Sequence, residues 1–276
     1  MKYTVVSTFN ADGYAKYGQR MIQTFLQTWP HTVDLVVYAE NCDVKESAPN
    51  LQVRNIAVCQ ALVKFKNRWQ HVPKATGDIS ADHTRRNRVD AKKSFKWDAV
   101  RFAHKVYSIF HCAQNTAADI LIWMDADTVC HSAITTADLD RLCPPQYNLC
   151  YLGRRDKYSE CGLYAIQLKT IGAQRFLREF QRMYDQAEQG IFQLKEWHDS
   201  FVFDHVRTKT PALIQLNWSE HLADIRPHRG SSPGEGHPLI NTEWGAYLDH
   251  LKGNRKNTGR SLATDLKVPR TESYWQ

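Results

Sequence analysis

The sequence predicts an α/β protein with a mostly parallel central sheet flanked by helices. Three observations carry that prediction. The chain opens strand–helix–strand between Lys2 and Ala39, the signature of two parallel strands joined by a crossover helix. The run ILIWM at Ile120–Met124 is continuously apolar, as in a strand covered on both faces. Further strand and helix patterns then alternate down the chain rather than separating into blocks.

The elements follow in order. Lys2 to Thr8 (KYTVVST) is short and β-branched, as a leading strand should be. YGQRMIQTFLQTW over 17–29 sets Met21, Ile22, Phe25 and Trp29 at helical spacing, and Pro30 ends the helix. Asp34 to Ala39 (DLVVYA) is the second strand. Residues 95–112 read as an amphipathic helix with Trp97, Val100, Phe102, Val106, Ile109 and Phe110 on its apolar side. Strands near 149–153 and 162–168 follow the central one, then helices over 170–187 and 196–207. RPHRGSSPGEGHP over 226–238 has the composition of a loop. From about 239 the pattern predicts a helix followed by a polar, basic tail.

Composition narrows the function classes. A hydrophobic share of 42% and a charged share of 24% are those of an ordinary globular protein. No stretch approaches the ~18–20 apolar residues of a membrane span. The opening MKYTVVSTFNADGY reaches polar residues too early for a signal peptide. The expectation is a cytoplasmic protein, in host cytoplasm if viral. Seven cysteines without a CxxC spacing point to reduced thiols rather than a disulfide framework or a zinc site. The formal charge of +7 favours anionic partners. It is concentrated: residues 64–105 carry twelve Lys or Arg against four Asp. There FKNRWQHVPK and HTRRNRVDAKKSFKW interleave cations with Phe65, Trp69, Phe95 and Trp97, a composition suited to phosphates and stacked bases.

The chemistry begins at ILIWMDADTV. Asp125 and Asp127 stand at i and i+2 directly after the apolar run. Ligands of parallel α/β sheets bind beyond the C-terminal ends of the strands, and two carboxylates there suit a hard divalent cation with positions open for phosphate oxygens. The plainer reading is a strand-end turn, which Asp also favours. Far along the chain, DHLKGNRK holds His250, Gly253 and Lys256 in an H-x-x-G-x-x-K pattern. Its plainer reading is a helix C-terminus capped by glycine.

Together these motifs resemble those of glycosyltransferase family 8, the retaining GT-A-fold enzymes of the glycogenin type. The resemblance implies Mn²⁺ or Mg²⁺ held by Asp125, Asp127 and His250 against the diphosphate of a nucleotide-sugar, with UDP-sugar as the donor. Asp125, Ala126, Gly253 and Lys256 would contact that donor. The family continues Lys-Pro-Trp where this chain has Lys256, Asn257 and Thr258. Following the family's layout, Thr8, Phe9, Asn10 and Tyr14 would receive the nucleotide, with Tyr17 either beside it or in the core. Lys105, with Arg101, would be the basic contact ahead of the acidic pair. Glu160, with Gly162 leaving room, would lie beside the transferred sugar. In EWHDSFVFDHV, Asp199 would approach the sugar hydroxyls, with His198 and Trp197 adjacent. For an inverting outcome, Asp199 or Glu160 is the candidate general base. The layout divides into a catalytic domain over 1–225 and an extension over 226–276 that completes the donor site.

The absence of a membrane span and the basic 64–105 region also resemble small phage-type glycosyltransferases. That resemblance implies a hydroxymethylated pyrimidine in DNA as acceptor. A polysaccharide, lipid-linked or protein acceptor is the alternative. A nucleotidyltransferase would pair carboxylates with Mg²⁺ as well, but needs a glycine-rich phosphate loop, of which TFNADGYAKYG is a poor version. A non-catalytic DNA-binding module is the remaining reading.

Overall fold

The computed structural model describes residues 1–78, 80, 94–155, 157–224 and 237–276. Strand β1 (Tyr3–Asn10) is followed by a single helical turn α1 (Ala11–Gly13), a π-helical turn over Tyr14–Gly18 and helix α2 (Gln19–Thr28). The helix thus starts well before its apolar stripe of Met21, Ile22 and Phe25. Asn10 explains the early start: its side chain accepts from Gly13 N at 2.8 Å and caps the first turn. Strand β2 (Asp34–Glu40) and the edge strand β3 (Leu51–Asn55) come next, then helix α3 (Gln60–Trp69).

Helix α4 (Ala99–Asn115) is capped by Asp98, whose carboxylate accepts from Arg101 N. The expected start at 95 is displaced, because Ser94–Trp97 forms a separate 3-10 turn. Then follow β4 (Ile120–Met124), β5 (Thr128–Cys130), α5 (Thr136–Leu142), β6 (Leu149–Arg154), β7 (Lys157–Gln167), α6 (Ile171–Asp185), α7 (Asp199–Lys209) and β8 (Gln215–Asn217). Among the described residues the C-terminal segment is helical only in short turns, Leu239–Asn241, Glu243–Ala246, α8 (Arg255–Thr258), Ala263–Asp265 and Ser273–Trp275. A short strand β9 (Leu248–His250) stands where one continuous helix was expected.

The main sheet runs β3-β2-β1-β4-β7-β6-β8. The first four strands are mutually parallel, and β7 is antiparallel to β4 and to β6. Alternate side chains point to opposite faces. Val6, Val36, Tyr38, Leu121 and Trp123 share one core with α3, α4, α6 and α7. Val5, Leu35, Val37, Ile122 and Met124 share the other with α2, α5 and the C-terminal residues Leu239, Ile240 and Trp244. The molecule is therefore three layers, helix–sheet–helix, and its C-terminal segment helps close one of them. No helix among the described residues is long and apolar enough to cross a membrane.

Phe65, Trp69 and Trp97 belong to the first core. Three of the four rings interleaved with the basic residues are thus unavailable for stacking on a base, and only Phe95 is exposed. The stretch 81–93, with five of the twelve cations, lies outside the described residues.

Candidate active site

Strand β4 delivers the acidic pair to the C-terminal edge of the parallel strands. Asp125 N donates to Gly162 O at 2.8 Å, tying the strand end to β7, and Thr128 N returns to Asp125 O at 3.1 Å. This tight turn passes the chain into β5, which pairs antiparallel with β9 so that Thr128 faces His250. Leu251 N then donates to Asp127 O at 2.8 Å. The small two-stranded ladder brings together residues more than a hundred positions apart. His250 Nε2 lies 3.2 Å from Asp127 Oδ1 and 3.7 Å from Asp125 Oδ2.

The ligand atoms of Asp125, Asp127 and His250 all lie within 4.8 Å of one another. Two hard carboxylates and one imidazole form a donor set for Mn²⁺ or Mg²⁺. Behind it, Glu160 Oε1 stands 3.7 Å from His250 Nδ1, a buried nitrogen with no hydrogen-bond partner. Gly162 leaves space for this ring. A Cβ there would sit 2.5 Å from His250 Cε1 and 2.6 Å from Nδ1, well inside van der Waals contact.

Cations surround the acids. Lys256 Nζ is 2.9 Å from Asp127 Oδ2 and 4.8 Å above the Tyr17 ring. Buried Lys105 bridges Asp125 Oδ1 at 3.0 Å and Asp199 Oδ2 at 2.7 Å. Burial alone would raise the carboxyl pKa of Asp127, but His250 and Lys256 outweigh it and hold the group well below the usual range. Burial would likewise depress the Lys105 ammonium, yet Asp125 and Asp199 push it well above its ordinary value. At Glu160, burial is overcome by Lys252, His250 and Arg154, which bring the carboxyl down to about 2.

These groups line a cleft of about 1020 Å³, at the upper end of the ~300–1,000 Å³ usual for ligand sites. Of the residues expected to hold the nucleotide, Thr8, Tyr17, Arg101, Lys105, Ala126, Gly253 and Lys256 line it. Phe9, Asn10 and Tyr14 are not among the lining residues. Phe9 is buried, its ring 2.9 Å from where a Gly18 Cβ would stand. Asn10 is spent on its cap, and the Tyr14 hydroxyl donates to Glu46 at 2.7 Å. The helical turns over 11–18 also leave no glycine-rich phosphate loop. Gly253 has φ +65°, a left-handed turn that glycine adopts without strain.

His198 faces the cleft, but both its nitrogens are engaged. Nδ1 accepts from Phe201 N as the cap of α7, so Nε2 carries the proton and donates to Glu196 Oε2 at 3.0 Å. Trp197 is core. Three features were not anticipated. Trp123 Nε1 donates to Asp125 Oδ1 at 2.7 Å, Lys252 pairs with Glu160, and Phe95, Phe102 and Tyr158 gather round the His198 ring. Trp123 and Lys252 lie inside the two motifs themselves, which was the available signal.

No protein-family model matches the chain, and no curated protein matches its sequence. Many solved structures are distantly similar, three of them as follows. The apo WbbM bifunctional glycosyltransferase is 12% identical with a TM-score of 0.46, over 79% of this chain and 38% of its own. Apo mouse xyloside xylosyltransferase 1 is 11% identical with a TM-score of 0.43, over 78% and 85%. The glycosyltransferase GlyE of Streptococcus pneumoniae is 10% identical with a TM-score of 0.42, over 78% and 45%. The chain thus spans less than half of WbbM and of GlyE. Likenesses this remote carry nothing about chemistry, which has to come from the side chains.

Proposed function

We propose that this protein is a metal-dependent glycosyltransferase of GT-A architecture that moves a sugar from a nucleotide-sugar, a UDP-sugar by preference, to a hydroxyl acceptor. One observation carries the reading: the convergence of His250 and Lys256 on Asp127 beside Asp125. Neither motif alone would distinguish a ligand site from a turn or a cap.

In this reading Asp125, Asp127 and His250 hold Mn²⁺ or Mg²⁺, which supplies charge neutralisation to the donor diphosphate. Glu160 sets a negative charge 3.7 Å behind the unbonded Nδ1 of His250, and the packing of Gly162 leaves the ring its place. Lys256 exchanges its contact with Asp127 for the departing diphosphate and stabilises the charge that develops there. Lys105 holds the Asp199 carboxylate through their ion pair and orients it toward the sugar hydroxyls. Tyr17 offers a ring to the donor, in place of Tyr14.

Glu160, held to about 2 by its cations, is a weak proton acceptor, and His198 has no free nitrogen. Asp199 is the remaining base if the configuration inverts. With retention, the departing phosphate takes the acceptor proton. The DNA acceptor now rests on charge, since Phe95 alone of its four rings reaches the cleft. A gel shift with duplex DNA across salt concentrations tests it, and binding without salt dependence removes it. The reaction itself is tested by a donor screen with and without EDTA, following nucleotide release. Full activity in Asp127→Asn or His250→Ala overturns the ligand assignment.

A further inference from the structure

A second charged surface lies away from the cleft. On α6, Ile171, Arg175, Arg178 and Arg182 follow the i, i+4, i+7, i+11 spacing that places side chains on one helical stripe. The three arginines are exposed. Arg175 and Arg178 make no hydrogen bond or ion pair among the described residues, and Arg182 is 2.9 Å from Glu179, the one acid lining the groove. Across a groove of about 290 Å³, α7 adds Lys209, whose Nζ lies 3.3 Å from His205 Nε2.

Exposed apolar side chains lie next to this groove in the chain: Ile171 opens the arginine stripe, and Ile214 follows the lining residue Pro211 by three positions. Ile171 is 68% exposed and Ile214 is 56% exposed, the two most exposed large hydrophobic side chains among the described residues. They stand at the same end of the fold. Asn148 Oδ1 accepts from Ile214 N at 2.9 Å and would be 2.4 Å from a Cβ on Gly172, the neighbour of Ile171. Ala212 O approaches the same point to 2.6 Å.

We propose that this face docks on an anionic lipid surface. Arg175, Arg178, Arg182 and Lys209 would meet headgroup phosphates, and Ile171 and Ile214 would reach the acyl boundary. Cations around a groove suit any phosphate-bearing partner. Two exposed isoleucines at the same end of the fold as these cations favour a bilayer over a nucleic acid, because an amphipathic surface gains from apolar burial and charge together. The surface is independent of the proposed reaction. Lys209 and Asp199 occupy opposite ends of α7, about 15 Å apart along its axis at 1.5 Å per residue.

The test is co-sedimentation of the full chain with phosphatidylcholine vesicles, with or without phosphatidylserine. The protein is expected on the phosphatidylserine vesicles only and to be released by high salt. Arg175→Gln with Arg178→Gln weakens that binding roughly 25-fold, about fivefold per arginine. Ile171→Ser with Ile214→Ser weakens it at unchanged salt sensitivity. All four side chains are exposed, so melting temperature and cleft chemistry stay as in the unmodified chain. No sedimentation at low salt, or binding that resists both double substitutions, overturns the proposal. Binding of duplex DNA with no vesicle binding also overturns it and gives the groove to nucleic acid.

Discussion

Replacing Gly162 by Ala puts a methyl carbon 2.5 Å from Cε1 and 2.6 Å from Nδ1 of His250. The ring cannot swing away freely, since His250 is buried and its backbone is held in the β5–β9 ladder. Glu160 Oε1 stands 3.2 Å from the same point. Something in this packed corner must shift, and overpacking of this kind costs about 1–3 kcal/mol. The functional effect should exceed the stability effect, because a ring displaced by a few tenths of an ångström no longer points Nε2 at the carboxylate pair. Losses of about 10- to 100-fold in metal affinity are usual when a ligating histidine loses its orientation. Mn²⁺ titration by calorimetry, beside a thermal melt, reads both quantities. Gly253→Ala is the control: it forces alanine to φ +65°, at about 1–2 kcal/mol, yet its Cβ meets nothing within 4 Å. Gly162→Ala with unchanged Mn²⁺ affinity would refute the claim that this glycine makes room for a metal ligand.

Other outcomes follow from the same geometry. Lys105→Met strands two acids in the cleft wall and should cost about 3–5 kcal/mol in urea unfolding, with Asp199→Asn added to it restoring part of the loss; no recovery would show that the two groups are uncoupled. Lys256→Met should lower kcat by about 10²–10³ while leaving Mn²⁺ affinity in place, and a fall in affinity instead would make Lys256 a structural partner of Asp127. The His131 pKa is lowered by burial from 6.5 to about 4, against the opposing pull of Asp249. The unfolded chain therefore takes up this proton first, and the stability it represents is present above pH 6.5 and lost as pH falls through 4. Denaturant midpoints of His131→Phe, which keeps a ring against Tyr274, should decline less steeply over that window; identical profiles would remove His131 from the acid response.

How far the sequence reached can be judged residue by residue. Ile120–Met124 and the acids after it were legible, because a strand covered on both faces leaves a continuous apolar run with a polar break at its end. The ladder that carries His250 was not. β5 and β9 are three residues each, too short for a periodic signal, and their pairing is set by tertiary closure. That is why the H-x-x-G-x-x-K segment suggested a helix end when it is a strand followed by a left-handed turn at Gly253. Leu62, Phe65 and Trp69 do have helical spacing, but their flanking cations drew attention to phosphate binding and hid a core-facing helix. Phe9, Asn10 and Tyr14 were placed by their closeness to the first strand, whereas a local side-chain cap and the packing of Gly18 turn them from the cleft.

The account turns on a cation held jointly by two motifs remote in sequence. The most direct measurement is nucleotide release from UDP-sugars by the chelated protein as Mn²⁺ is added back, comparing the unmodified chain with His250→Ala. Release should vanish with EDTA and return with Mn²⁺, and the variant should need about 10- to 100-fold more metal or fail to respond. Release that persists at full rate in EDTA, or a variant with an unchanged Mn²⁺ response, would contradict it.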